Sequence, residues 1–463
     1  MPKIVIVGAG EVGRSVAKTL SDENYDICLV EKNPEQAESV KSELDIQVVT
    51  GNGARPQVLA QTGINQLGEV QMFIACTNRD EVNILSCWIA HNAGVEHVIS
   101  RAKNLEFTDS PDWGDKLGIK FMVSPERSIA REVIGLLEVS SATKAAELLD
   151  GSAGLYTLKL SPKSPLVNMA LKDIRPKFPQ LMAVFVHVAH EDGTAGVPDG
   201  FSVLKAGDVC YVVTYKESAK VLQELFDPSP EKGRKLRKIF VVGGGKLGTQ
   251  IVQAVKRDFG NASLRLIEKD TAKALRLSEE LGEALVINGD GADERMLSNE
   301  GIEDADGYIC ATDSDELNLI YCVIAKRLGA KKTIAVVKRK DYQSLSDSMP
   351  VDAIVDPNDA LANLILRIVH YPEHTLAYTM IENIDAEMLE VVLQDGADVV
   401  GRSLMELRLG KGVVVALIKR KDTVFVPVGS TVLSAGDRVI LFAVDARMQE
   451  TAKQFGTEDN HED

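Results

Sequence analysis

Two glycine-rich segments have the spacing that binds the phosphates of a nucleotide. Gly8, Gly10 and Gly13 form a G-x-G-x-x-G pattern directly after the apolar run at 3–7 and open a helical pattern. In this pattern the first glycine permits a tight turn, the second lets the backbone approach a pyrophosphate, and the third lets helix pack on strand. The free N–H groups and the dipole of the helix N-terminus then favour an anion.

An acidic residue follows at the distance that such a site requires. Glu31 closes the next apolar run, where a carboxylate accepts hydrogen bonds from ribose hydroxyls and repels a 2′-phosphate. The pattern therefore favours NAD or an adenine nucleotide over NADP. It returns with Glu268 and three further glycines, and Lys246 stands inside the second loop. One copy alone is consistent with a turn that serves packing only, but two copies predict two nucleotide sites, unless one copy has lost its function.

The whole chain is a repeat. After each glycine segment come a G-N/D-G-A stretch, a threonine that ends an apolar run, and a D-E-x-N stretch, in the same order. Each such block is followed by a different block that contains V-P and then A-G-D, at 197–208 and at 426–437. This A-B-A-B layout predicts domains at 1–140, 141–228, 236–372 and 373–457, with a charged linker at 229–235.

The two kinds of block predict different folds. In the A blocks, short apolar runs alternate with helical patterns, which indicates a Rossmann-like parallel sheet that is buried on both faces. The B blocks combine β-rich runs, Gly, Pro and Asp turns, and a final helix, which indicates a small α+β domain. The fold class is therefore α/β, with two tandem Rossmann-like domains, each followed by a small α+β domain.

Composition restricts the partners. The formal charge of −16 over 463 residues argues against nucleic acid. The six cysteines stand apart in apolar runs without a C-x-x-C pair, so we expect reduced, buried thiols and a cytosolic protein. The chain begins with a strand pattern instead of a signal peptide, and its longest apolar runs are too short to span a bilayer, so we expect any link to a membrane to go through a partner.

Catalytic groups are not evident. The seven histidines do not recur at equivalent places in the two repeats, and no Walker loop or nucleophile elbow is present. Asp80, Glu81 and the acids at 313–316 precede helical patterns and are interpreted as first-turn acids in preference to metal ligands. We expect Thr77 and Thr312 to face the glycine crevices, whereas Arg101 is equally consistent with a phosphate contact and with capping the sheet edge.

These features together resemble the regulatory subunits of Trk-type potassium uptake systems, the TrkA family, in which two RCK or KTN units follow each other. The resemblance covers nearly the whole chain and depends on the paired glycine loops, the T-N-R-D-E-V-N and T-D-S-D-E-L-N stretches and the two A-G-D turns. It assigns nucleotide contacts in the first repeat to Gly8, Ala9, Gly10, Glu11, Val12, Gly13, Glu31, Asn52, Thr77, Asn78 and Arg101. In the second repeat it assigns them to Gly243, Gly244, Gly245, Lys246, Leu247, Gly248, Glu268, Asp290, Thr312 and Asp313.

The resemblance implies a function as well. It implies a non-enzymatic subunit that binds NAD(H), ATP or ADP, forms a homotetrameric ring and docks on the inner face of the membrane beneath a TrkH-like transporter subunit. Val336 stands opposite Arg101, so we expect the second site to bind differently or more weakly. The apolar stretches 125–149 and 357–370 either make contacts between lobes or pack only on their own sheets.

Two rival interpretations come from other classes. An NAD-dependent dehydrogenase explains the glycine loops but not the repeat, and it needs a catalytic acid or base that the B blocks do not offer. A redox-responsive gene regulator lacks a helix-turn-helix segment and has the wrong charge.

Overall fold

A computed structural model describes residues 3–66, 68–104, 107, 111–228, 236–282, 284–339, 342, 349–370, 375–381, 384, 386–444 and 448–455. The predicted linker 229–235 and the end of the chain after 455 lie outside these ranges. The chain forms two compact units. The first contains residues 1–128 and 357–370, and the second contains 129–356 and 371–463.

The first unit is built on a parallel six-stranded sheet in the order β3-β2-β1-β4-β5-β6. Its strands are short and mostly apolar, and the central ones are buried on both faces, as in Val5 and Phe73. The strands are β1 (Lys3–Val7), β2 (Asp26–Glu31), β3 (Gln47–Thr50), β4 (Val70–Ala75), β5 (His97–Arg101) and β6 (Phe121–Val123). The helices of this stretch of chain are α1 (Glu11–Asp22), α2 (Pro34–Glu43), α3 (Pro56–Leu59), α4 (Asp80–Asn92), α5 (Pro111–Leu117) and α6 (Pro125–Glu138).

The second unit contains an equivalent parallel sheet in the order β14-β13-β12-β15-β16-β17. Its strands are β12 (Lys238–Val242), β13 (Ser263–Glu268), β14 (Leu285–Asn288), β15 (Gly307–Cys310), β16 (Thr333–Val336) and β17 (Ala353–Val355). The helices along this stretch are α9 (Lys246–Asp258), α10 (Thr271–Leu281), α11 (Glu294–Asn299), α12 (Asp315–Arg327) and α13 (Pro357–His370). Both parallel sheets thus have the same strand order, as the repeated sequence motifs predict.

Two antiparallel five-stranded sheets complete the second unit. The first has the order β10-β9-β11-β8-β7 and the second the order β18-β19-β22-β20-β21. The first sheet and its helices comprise β7 (Ala142–Leu148), β8 (Ala153–Lys159), β9 (Ala183–Ala189), β10 (Ala195–Gly196), β11 (Val209–Tyr215), α7 (Leu171–Lys177) and α8 (Ala219–Phe226). The second comprises β18 (Thr375–Ile381), β19 (Ala386–Val392), β20 (Val413–Arg420), β21 (Thr423–Phe425), β22 (Arg438–Val444), α14 (Leu404–Leu407) and α15 (Met448–Gln454). The predicted fold class, with parallel sheets followed by smaller mixed domains, is confirmed.

The long helices α6 and α13 answer the question that the sequence left open. Helix α13 comes from the second repeat but belongs to the first unit, where it packs against α1. From Ile129 onward, α6 belongs to the second unit, and a Cβ at Gly307 of β15 would lie 2.6 Å from Leu137 Cδ2. These helices therefore make contacts with the other repeat, in addition to linking the blocks of their own.

The two antiparallel sheets share one hydrophobic cluster, and a buried carboxylate stands beside it. Leu155 and Tyr211 of the first sheet pack in the same cluster as Met388 and Phe442 of the second. Glu390, 1% exposed, forms an ion pair with Arg438 and accepts a hydrogen bond of 2.8 Å from the Leu149 N–H. Arg438 also forms an ion pair with Asp150. The first repeat has Thr157 and Val209 at the positions of Glu390 and Arg438 in the strand register.

The expectation that the cysteines are buried and unpaired is confirmed. All six cysteines are buried and form no disulfide. Burial raises the pKa of the Cys28 and Cys76 thiols to about 12, which makes them unreactive near neutral pH. Within the described ranges, no helix combines the length and the apolar character that crossing a bilayer requires.

The buried pair yields a stability prediction. Arg438→Ala leaves the Glu390 carboxylate buried without its cation, so we expect the free energy of unfolding to fall by about 3 kcal/mol. Denaturant unfolding of the full chain measures this. The double variant Glu390→Thr with Arg438→Val copies the neutral pair of the first repeat and should recover most of the loss, because no unpaired charge remains. Equal stability of Arg438→Ala and the native chain would contradict the argument.

Candidate nucleotide sites

The glycine loops have the backbone shape that the spacing predicted. Gly8 has a φ of +111° and Gly243 a φ of +100°, in the region that side chains other than glycine disfavour. A Cβ on Gly13 would lie 1.9 Å from the Gly8 carbonyl oxygen, and one on Gly248 would lie 1.8 Å from that of Gly243. Each loop therefore requires glycine at its first position for the turn and at its third for the approach of the helix.

The middle glycines have a different reason to be small. Gly10 and Gly245 are the N-cap residues of α1 and α9, with φ values of −66° and −68°, and no side chain caps either helix there. A Cβ on either residue would meet nothing within 4 Å. The protein itself leaves this space open, directly before the N-terminus of a helix of at least twelve residues, where backbone donors and the dipole favour an anion.

The acidic residue of each site holds the glycine loop. Glu31 accepts hydrogen bonds from the N–H of Ala9 at 2.7 Å and from the N–H of Asn33 at 2.8 Å. Glu268 accepts from the N–H groups of Gly244 and Asp270, both at 2.9 Å. Sequence reasoning expected ribose contacts only. The structure shows a second role. Each carboxylate stands at the end of β2 or β13 and is hydrogen-bonded to the glycine turn that follows the neighbouring strand, β1 or β12.

The floor of each site is held by an asparagine that was not predicted as a site residue. Asn83, fully buried, accepts from the Thr77 N–H at 2.9 Å and hydroxyl at 2.6 Å. Its amide donates to the carbonyl oxygens of Thr77 and Arg101. Asn318 makes the same four contacts with Thr312 and Val336. The sequence signal was available, because the D-E-x-N stretch recurs with its asparagine six residues after each threonine.

The interpretation of Asp80, Glu81, Asp315 and Glu316 as acids of a helix first turn is confirmed, and two of them have a further structural role. Both oxygens of Asp80 accept backbone hydrogen bonds, from the N–H of Lys103 at 2.9 Å and from that of Asn104 at 2.8 Å. A single oxygen of Asp315, Oδ2, accepts from the N–H groups of both Lys338 and Arg339, at 2.9 Å each. These carboxylates hold the segment that follows β5 or β16 and do not cap their own helix. No cluster of metal ligands occurs among the residues that the structure describes.

Arg101 distinguishes the first site from the second. Its Nε is buried and has no hydrogen-bond partner among the described residues. Arg101 is the last residue of β5, and its carbonyl oxygen accepts a hydrogen bond from the Asn83 amide that also holds Thr77. An unpaired buried donor at the end of a central strand fits an anionic ligand. The second repeat has Val336 there, at the end of β16.

The two sites also differ in the turn that follows β3 or β14. Asn52 accepts from the N–H of Ala54 at 3.0 Å. The equivalent Asp290 accepts from the N–H of Ala292 and from Lys269 Nζ, both at 2.9 Å, and these contacts lower its pKa. Burial and a hydrogen bond with Asp290 raise the pKa of Tyr321 to about 12.

The remaining predicted residues lie around the same crevices. The second crevice has a volume of about 180 Å³ and is lined by the glycine loop, Glu268, Lys269, Lys273, Thr312 and Asp313, among others. Glu11, Asn78, Lys246 and Asp313 are exposed, Leu247 is partly buried, and Ala9 and Val12 are buried. The predicted residues of each repeat thus surround the carboxyl ends of the central strands, where ligands of such sheets bind.

Twice in this chain, a Rossmann-like sheet combines a glycine turn, an open helix N-terminus and a carboxylate, which defines a protein with two nucleotide-binding folds. The family model described as the TrkA-N domain matches residues 4–125 and 239–357, and the TrkA-C domain matches residues 388–456. The chain therefore belongs to the TrkA family.

Relatives agree over nearly the full length. The chain is 32% identical to the Trk system potassium uptake protein TrkA homolog 1 of Methanosarcina mazei, over 98% of this chain and 100% of the relative. It is 28% identical to the Trk system potassium uptake protein TrkA of Azorhizobium caulinodans, over 96% of both. Among solved structures, the RCK domain of GsuK has a TM-score of 0.60 at 19% identity, with 99% of this chain and 95% of that chain covered. At that identity, the structural likeness shows the fold.

The close approach in the glycine loop yields a prediction. In Gly13→Ala the new methyl group would overlap the Gly8 carbonyl, so α1 or the turn must move, and we expect unfolding to become easier by about 1–3 kcal/mol. Gly248→Ala should act likewise in the second unit. Thermal unfolding provides the measurement, and Gly10→Ser is the matched control, since it adds a good N-cap where space is free. Equal melting of Gly13→Ala and Gly10→Ser would contradict the geometric argument.

Proposed function

We propose that this chain is the nucleotide-sensing regulatory subunit of a Trk-type potassium uptake system, and that it binds NAD(H), ATP or ADP at its two glycine loops. The observation that carries the proposal is the open space at Gly10 and Gly245, each before an uncapped helix N-terminus and beside a carboxylate. The names of the relatives support the transport role. GsuK, which shares the fold, has been solved bound to NAD and bound to ADP.

A regulatory role suits these crevices better than a dehydrogenase does. Hydride transfer needs an acid or base whose pKa is close to the working pH. The hydroxyls of Thr77 and Thr312 are hydrogen-bonded to buried asparagines. Tyr321 has a pKa that is raised to about 12 and is paired with Asp290. These groups are occupied in holding the site, so the proposal is a protein that is not an enzyme.

The proposal includes a location and an assembly. The chain acts in the cytoplasm as a homotetramer, peripheral on the inner face of the membrane, where a TrkH-like transporter subunit holds it. Exposed apolar side chains support self-association, because the equivalent helices α4 and α12 both carry them. Leu85 and Trp88 are 44% and 46% exposed, and Leu317 and Ile320 are 40% and 51% exposed. Contiguous exposed apolar side chains mark protein interaction sites, and the two on each helix lie three residues apart, on one face.

The first site offers a route for the signal. The side chain of Asn358, at the start of α13, donates a hydrogen bond to the Glu11 carboxylate, in the first turn of α1. Helix α13 comes from the second repeat, so a nucleotide at the first site binds next to chain from both repeats. A ligand shifts such an arrangement only through its differential affinity for two states, which typically amounts to about 1–3 kcal/mol.

The binding part of the proposal is tested at the middle glycines. Asp is a good N-cap residue, so Gly10→Asp and Gly245→Asp should keep their helices, while the new carboxylate occupies and repels the phosphate position. Calorimetric titration with NADH, NAD, ATP and ADP should show that each variant loses one of two binding events. Glu31→Ala and Glu268→Ala should weaken binding at the same two sites. Native protein that binds none of the four would sink the proposal.

The regulatory part is tested in transport. The chain is reconstituted with the transporter subunit in vesicles, and potassium flux is followed with and without each nucleotide. We expect Gly10→Asp to lose most of the nucleotide response. Gly196→Asp is the matched control, because a Cβ on that glycine would also meet nothing within 4 Å and the residue lies in β10 of an antiparallel sheet, which carries neither glycine loop. A full response in Gly10→Asp would show that the first site does not regulate flux, and hydride transfer from NADH to a carbonyl compound would restore the dehydrogenase.

A further inference from the structure

The two acidic residues differ in one partner. Glu31 and Glu268 accept equivalent backbone hydrogen bonds at the ends of β2 and β13. Glu268 has in addition an ion pair with Lys273, whose Nζ lies 2.9 Å from Oε2. This is the oxygen that also accepts the Gly244 N–H. The residue that corresponds to Lys273 in the first repeat is Gln36, which is exposed.

The position of Lys273 in its helix shows why its ammonium group needs the Glu268 carboxylate. Asp270 is the N-cap of α10, and its side chain accepts from the Lys273 N–H at 2.7 Å, so Lys273 lies in the first turn of that helix. A cation is unfavourable there because it faces the positive end of the helix dipole. Gln36 has the same place after the N-cap Asn33 in α2, without the charge. The ammonium group of Lys273 is therefore stabilised by Glu268 against the field of its own helix.

The ion pair occupies a hydrogen-bond acceptor position of Glu268 that the ribose hydroxyls would use. The Glu268 side chain is 9% exposed and its oxygens already accept two backbone N–H groups and the ammonium. Burial raises the pKa of Glu268, but these hydrogen bonds outweigh it and keep the carboxyl ionised. A carboxylate in this place binds ribose by accepting from its hydroxyls. In the second site, a ribose that places a hydroxyl on each carboxylate oxygen must displace Lys273 from Oε2 or share that oxygen with Lys273 and the Gly244 N–H. The Glu31 carboxylate has no cation beside it among the described residues, and each of its oxygens accepts one backbone N–H.

A second ion pair, formed by the residue after Glu268, also distinguishes the second site from the first. Lys269 pairs with Asp290 at 2.9 Å, while the first repeat has Asn52 in the place of Asp290. Lys269 and Asp290 of the second site therefore satisfy each other. In the first site, by contrast, the Nε of Arg101 has no partner among the described residues.

We propose that Lys273 is an internal competitor for the ribose, which holds the second site at low affinity while the first site is ready to bind. The proposal rests on the proposed function, since it presumes that both crevices take a nucleotide. It assigns Lys273 as the residue that sets the difference between two sites with the same glycine geometry. The opposite role is a direct contact of Lys273 with the ligand, and it predicts the opposite sign in the test.

The test exchanges the two residues between the sites, with NADH as the probe. The first site is blocked by Gly10→Asp, and in that background the dissociation constant is measured with and without Lys273→Gln. The reciprocal pair uses Gly245→Asp, with and without Gln36→Lys. We expect Lys273→Gln to tighten binding on the order of fivefold and Gln36→Lys to weaken it by a similar factor, as fits a partly exposed ion pair. Lys273→Arg keeps the cation and should leave the affinity low.

Each outcome of the exchange either supports or overturns the proposed role of Lys273. Weaker or unchanged binding by Lys273→Gln overturns the proposal, and so does a second site that binds no NADH even after that change. Thermal unfolding of each variant separates competition from a structural effect, because a disturbed site lowers the melting temperature and weakens NADH binding together, whereas the loss of competition tightens binding. If neither the native chain nor the Gly245→Asp chain, whose first site is intact, binds any of NADH, NAD, ATP and ADP, the proposed function itself is rejected. Binding there with no effect of the exchange would reject only the role of Lys273.

Discussion

The approach of a helix to the turn that precedes it is the constraint on which each site depends. Since a Cβ on Gly13 would lie 1.9 Å from the Gly8 carbonyl oxygen, only two glycines allow α1 to start where it does. This placement directs the helix N-terminus into the crevice at the strand ends. Glu31 then holds the turn through the Ala9 N–H, and Asn83 fastens the adjacent strand ends. The packing of α1 against the turn therefore determines where the anion site lies, and charge contributes only once the helix is in place.

The second repeat has the same close approach of helix to turn, but different side chains fill the space beside the turn. Ala9 is buried in the first loop, whereas the second loop has Gly244 because a Cβ there would lie 2.3 Å from Leu277 Cδ1. The corresponding residue on α2 is the smaller Val40, which is buried. Each repeat therefore fills the same space with a different pair of side chains. Polar partners are less constrained than packing, and this freedom allowed Lys273 and Asp290 to differ from Gln36 and Asn52.

The sequence was sufficient for the parts of the structure that local pattern controls. The parallel sheets, the glycine turns and the buried cysteines follow from periodicity, spacing and burial. It was insufficient where a contact depends on which segments meet. The backbone contacts of Asp80 with the segment after β5 were not expected, since first-turn acids normally act on their own helix. Nor does an apolar stripe on α13 reveal that α1 of the other repeat covers it. The Glu268 ion pair was within reach, because aligning the repeats sets Lys273 against Gln36.

The exchange of helices explains why a duplicated chain differs from two separate copies. Because α13 is part of the first unit, that unit cannot be completed by the first repeat alone. The Asn358 contact with Glu11 brings this foreign helix to the phosphate end of the first site. A ligand that alters the start of α1 therefore acts directly on chain from the second repeat. If the second site is also the weaker one, the two sites fill at different concentrations, and a single chain can respond to two ranges of the same nucleotide.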